Sequence, residues 1–100
     1  MHCLTVLYPR PDDSEAFKAY YVEKHLPLAA KLPGMIRSNY AFPNQMGPGE
    51  APFCIFQAYF PDAKAMEAAL MSDAGQKVAS DVPNYSPKGA SLCHFAVNGG

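Results

Sequence analysis

Charge is what this sequence has least of. Lysine, arginine, aspartate and glutamate make up 17% of its 100 residues, against about 25% in an average soluble domain. The formal net charge is −1, so the basic footprint that a nucleic acid or an anionic membrane requires is missing. No apolar run approaches the length of a membrane span. The first such run, Leu4 to Tyr8, follows no basic segment and is too short for a secretory signal. Cysteine is scarce and odd in number: Cys3, Cys54 and Cys93 sit inside apolar strand patterns, with no C-x-x-C spacing. They are expected to be buried, reduced thiols of a cytoplasmic protein. A glycine-rich phosphate cradle is also missing, because Met46 to Glu50 (MGPGE) reads as a hairpin turn. Ser14 and Ser72 read as helix-cap residues rather than nucleophiles.

Apolar residues, by contrast, make up 49% of the chain. One domain spanning residues 1–100 is expected, long enough to bury a core without staples. His2 to Tyr8 reads as a strand stopped by Pro9 and Pro11. Asp12 and Glu15 form a capping box for a helix in which Phe17, Tyr20, Tyr21, Lys24, His25 and Leu28 recur at spacings of three and four. Pro27 must bend or restart that helix near His25. Met35 to Phe42 is a second strand, polar enough for an edge, and Phe53 to Phe60 a third. A helix capped at Asp62 runs to about Met71, and a shorter one opened by Asp73 and Gln76 runs to about Val82. Pro83 to Gly89 reads as a loop and Ser91 to Val97 as the last strand.

The order β-α-β-β-α-β is the ferredoxin-like arrangement: an α+β fold with a four-stranded antiparallel sheet and helices on one face. A sheet covered on one side alternates apolar with polar residues. The third strand does not alternate, since seven of its eight residues are apolar. Phe53, Ile55 and Tyr59 are expected on one face, and Cys54, Phe56, Ala58 and Phe60 on the other. Three or four large side chains left in water would forfeit roughly 1.5–3 kcal/mol each. A homodimer through the open sheet face is therefore expected.

Several residues could carry chemistry. His25 shares the inward helix face with Phe17, Tyr21 and Leu28 and stands beside the Pro27 distortion, where a pocket can open. Its imidazole suits proton transfer at neutral pH, or else a core hydrogen bond. Tyr21 lies one turn earlier and can touch it. His25 and Tyr21 are thus the catalytic candidates. Phe17, Tyr20, Tyr40, Tyr85 and His94 are candidate ligand-binding residues for a flat, mostly apolar molecule with a few oxygens. His94 could equally belong to the dimer interface, and Tyr8 and Tyr59 read as packing. The three histidines are scattered along the chain, so no metal site is expected. A lone inward histidine could ligate haem from one side, but no cofactor is expected.

The segment from Val6 to Met35 (VLYPRPDDSEAFKAYYVEKHLPLAAKLPGM) resembles the EthD family. The carriers are LYP, the F-x-x-Y-Y-x-x-x-H-L-P-L run from Phe17 to Leu28 and the K-L-P-G turn from Lys31 to Gly34. The third strand ending YFPD, the AALMS stretch and GQKVASDVPNY from Gly75 to Tyr85 agree. The resemblance implies a ferredoxin-like subunit of a dimeric α/β barrel, with a pocket between sheet and helices. Its wider superfamily includes cofactor-free monooxygenases of aromatic polyketides, muconolactone isomerases and haem proteins. The implied roles are therefore a cofactor-free monooxygenase or an isomerase with His25 moving the proton. A non-catalytic binding or accessory protein of a degradation pathway is the alternative.

Overall fold

A computed structural model of the chain describes residues 1–99. Its strands are β1 (His2–Tyr8), β2 (Arg37–Ala41), β3 (Cys54–Phe60) and β4 (Ser91–Ala96). The helical elements are α1 (Ser14–Tyr20), a π-helical turn (Tyr21–His25), α2 (Leu26–Ala29), α3 (Ala63–Met71) and α4 (Asp73–Tyr85). The sheet order is β2-β3-β1-β4, antiparallel throughout. This is the ferredoxin-like order, and β2 lies at an edge as its polarity suggests.

Local chemistry explains the element boundaries. The α1 cap is Asp13, one residue later than the capping box suggests, and its carboxylate accepts from Ala16 N at 3.0 Å. Asp62 caps α3 in the same way. Ser72, rather than Asp73, caps α4 by accepting from Gly75 N at 3.1 Å. Helix α4 also runs on through Pro83 to Tyr85, so Tyr85 is helical and not in a loop. Its end is held by the Ser86 amide donating to the Val82 carbonyl at 2.8 Å and by the packing of Tyr85 described below. Tertiary anchoring here outweighs the helix-breaking tendency of proline.

The register puts Leu4, Val6 and Tyr8 of β1 on the same face as Cys54, Phe56, Ala58 and Phe60 of β3. All seven are buried beneath the helices. Phe53, expected on the face of Ile55 and Tyr59, instead packs on the helix side, its ring 5.1 Å from that of Phe17. The open face is more mixed than the sequence suggests. A polar row of Thr5, Gln57 and Asn39 separates the Leu7–Ile55 pair from a row of Phe95, Cys3, Tyr59 and Arg37. The Arg37 guanidinium lies over the Tyr59 ring at 4.2 Å. Cys93 is exposed on this face, contrary to the expectation that all three thiols are buried.

Candidate functional site

The site grows from the Pro27 defect. Proline lacks an amide donor and its ring crowds the carbonyl four residues back, here that of Glu23. The chain responds with a π turn, in which the Leu26 amide reaches back five residues to the Tyr21 carbonyl. Such turns recur at functional sites because they re-aim side chains. The turn keeps Tyr21 and His25 on the buried side, with their rings stacked at 5.3 Å and 22°. Tyr21 in turn stacks on Phe17 at 5.4 Å.

His25 is 3% exposed. Its Nδ1 lies 2.9 Å from Oδ2 of Asp81 on α4. Oδ1 of the same carboxylate accepts from the Tyr20 hydroxyl at 2.6 Å and from the Asn84 side-chain amide at 3.0 Å. Burial pushes the Asp81 carboxyl upward, but these three hydrogen bonds outweigh it and hold the group below its ordinary range. An ionised carboxylate can only accept, so Nδ1 of His25 carries the proton and Nε2 presents a lone pair. Burial lowers the His25 pKa below its ordinary 6.5, against the pull of Asp81. The ring is therefore neutral at physiological pH, an oriented base rather than a standing cation.

His25 borders an apolar cavity of about 240 Å³ between the sheet and α4. Leu4, Val6 and Phe56 line it from the sheet, and Val78 and Val82 line it from α4. Among the described residues that line it, only His25 and Tyr8 have polar side chains. An apolar cavity of about 150 Å³ is enough to hold benzene, so a compound of one or two rings fits. Larger hollows lie elsewhere. A groove of about 550 Å³ by Arg10, Glu50 and Lys88 opens broadly to solvent, and one of about 310 Å³ flanks Phe17 and Tyr20. Neither has His25 in its wall.

The sequence candidates fall into two groups. His25, Tyr21, Phe17, Tyr20 and Tyr85 come together: the Tyr85 ring lies 4.6 Å from His25 and stacks on Tyr20 at 5.7 Å. Phe17 and Tyr21 are buried supports behind His25 rather than cavity walls. Tyr40 touches this cluster from β2, 6.0 Å from Tyr21, but is 43% exposed and outside the cavity. His94 does not join it. Its Nδ1 sits 2.9 Å from Nε2 of His2 on the exposed helix side of β4. Two residues escaped the sequence reading. Asp81 lies on the inward stripe of α4 with Val78, Val82 and Tyr85, a stripe hidden while Tyr85 reads as a loop residue, and Tyr8 reads as packing. Among the described residues, no group of three or more potential metal ligands occurs.

An antiparallel ferredoxin-like subunit with an apolar cavity and a histidine–carboxylate pair defines the class. The chain belongs to the EthD family, whose domain matches residues 10–88. An uncharacterized 11.0 kDa protein of the thcB-thcC intergenic region in Rhodococcus erythropolis is 29% identical over 93 residues, 92% of this chain and 90% of that protein. The solved structure of an ethyl tert-butyl ether d (EthD) family protein from Bacillus halodurans superposes with a TM-score of 0.87 at 25% identity, covering 98% of this chain and 99% of that one. Two others share the fold at 13% identity. One is a dimeric ferredoxin-like protein of unknown function from Bacteroides fragilis (TM-score 0.68; 96% and 95% covered). The other is SnoaB, a cofactor-independent oxygenase from Streptomyces nogalater (TM-score 0.65; 99% and 93% covered).

Proposed function

We propose that this chain binds a small aromatic or otherwise apolar oxygenated compound in the His25 cavity, and that Nε2 of His25 removes a proton from it. The observation that carries this reading is the buried His25–Asp81 pair on the wall of an otherwise apolar cavity. A purely structural histidine needs a partner for each ring nitrogen once buried. Nδ1 has one, whereas Nε2 makes no hydrogen bond among the described residues. Yet Nε2 is not sealed in: among the described residues, the Tyr21 hydroxyl is the fully enclosed side-chain polar atom left without a partner. A fixed tautomer with a free lone pair is the arrangement of a general base.

The reaction class that suits these parts is cofactor-free oxygenation. His25 takes the proton of a phenol or enol, and the electron-rich anion reduces dioxygen. The resulting hydroperoxide loses water to leave a carbonyl, so a CH2 unit and O2 become C=O and H2O. The fold likeness to a cofactor-independent oxygenase supports this choice. No cofactor enters the scheme. A cytoplasmic homodimer joined through the open sheet face completes the reading, supported by the exposed Phe95 and Val97 and by the dimeric relative of the same fold.

Oxygen uptake with a dihydroxynaphthalene as probe tests it. Wild-type protein should convert the probe to the hydroxynaphthoquinone with one O2 consumed per product. His25→Ala should lower the rate by about 10²–10⁴-fold, the usual worth of a positioned base, while the far-UV spectrum stays folded. A variant that turns over at the wild-type rate would exclude His25 as the base.

A further inference from the structure

We propose that the Tyr8 hydroxyl is the oxyanion-binding group of the His25 cavity, so that the ligand is one whose deprotonated form carries its charge on oxygen: a phenol or an enolisable ketone. This rests on the proton-transfer reading above and supplies the group that receives the charge left when His25 takes the proton.

Tyr8, at the end of β1, and His25 are the two polar side chains lining the cavity. The Tyr8 hydroxyl lies 2.7 Å from that of Tyr85. One proton fills that hydrogen bond, so the accepting hydroxyl keeps an O–H still to donate. Tyr21, whose ring meets that of Tyr8 at 5.5 Å, places a second hydroxyl within reach of that of Tyr8. One O–H of the Tyr8–Tyr85 pair thus remains to donate, in apolar surroundings where an unmade hydrogen bond is costly. Burial raises the pKa of Tyr8, Tyr21 and Tyr85 above the ordinary 10.0, so all three remain donors at neutral pH.

A ligand oxygen in the cavity accepts that O–H. Tyr85 donates to Tyr8, and Tyr8 donates to the ligand oxygen. When His25 accepts the ligand's proton, the electron pair stays on the ligand and the negative oxygen strengthens the Tyr8 hydrogen bond. No covalent bond forms to either tyrosine. A tyrosine O–H in an apolar site serves as an oxyanion donor in ketosteroid isomerisation by the same physics.

The test uses para-nitrophenol, whose phenolate absorbs visible light and whose phenol does not. At a fixed pH near its solution pKa, the phenolate-to-phenol ratio of the bound probe is read by difference spectroscopy. The ratio should fall about tenfold or more in Tyr8→Phe, the worth of a hydrogen bond to a charged group. It should fall less in Tyr85→Phe, which keeps the Tyr8 hydroxyl but removes its support. Should Tyr8→Phe not fold, a lowered ratio in Tyr85→Phe still supports the relay and an unchanged one overturns it. An unchanged ratio in a folded Tyr8→Phe that still binds the probe overturns the role of Tyr8 and leaves the cavity reading standing. Failure of the wild-type protein to bind the probe overturns both.

Discussion

At the scale of single residues, His25 and Asp81 make opposite demands on pH. Burial keeps His25 neutral in the fold, with a pKa below 6.5. In the unfolded chain it titrates near 6.5. Between those two values the unfolded state holds more protons, so stability rises with pH there and its gain is complete above 6.5. Denaturant unfolding across that window should show this slope, and His25→Gln should lose it. Asp81, held below its ordinary range, contributes stability that is present above about pH 4 and lost as acid takes the pH through its folded value. Asp81→Asn should lower the His25 pKa further, because the imidazolium loses its carboxylate, and should slow turnover by about 10²–10⁴-fold. A His25 titration followed by NMR checks the first effect. His25 was legible from its spacing with Phe17 and Tyr21. Asp81 was not legible as its partner, because a contact across 56 residues leaves no local pattern.

At the scale of elements, two prolines behave differently. Pro27 leaves its mark as a π turn, the restart that the sequence demands of the helix near His25. Pro83 leaves α4 unbroken, because Tyr85 is pinned by His25 and by the Tyr8 hydroxyl. Proline rules describe a helix alone and miss such anchoring, which is why Tyr85 reads as a loop residue in the sequence. The α3–α4 corner is tight. A Cβ at Gly75 would come within 2.3 Å of the Ala69 carbonyl oxygen and 2.4 Å of that of Leu70. Backbone cannot yield as a side-chain tip does, so Gly75→Ala should destabilise the fold by about 1–3 kcal/mol, as overpacking does. A denaturant midpoint lowered without a change in slope is the expected signature. Gly75 also borders the cavity, so the same change should weaken ligand binding.

For the whole molecule, element order and the apolar third strand were enough to read the sheet topology and that helices cover one face of it. The open face was harder, because strand alternation assigns a residue to a side but does not show what lies beside it. Phe53 stands just before β3 and turns under the helices, and Arg37 shields Tyr59. What remains apolar there is the Leu7–Ile55 pair with Phe95 and Val97. Sedimentation at micromolar concentration should give twice the chain mass, and Leu7→Arg should shift it toward the monomer. A wild-type monomer would contradict a dimer through this face. The location of the ligand is the central claim, and a methyl-resolved NMR titration with a dihydroxynaphthalene tests it most directly. Shifts at Leu4, Val78, Val82 and Leu92, with the His25 ring following, are the predicted result. Shifts confined to the groove by Arg10 and Lys88, or none at all, would contradict it.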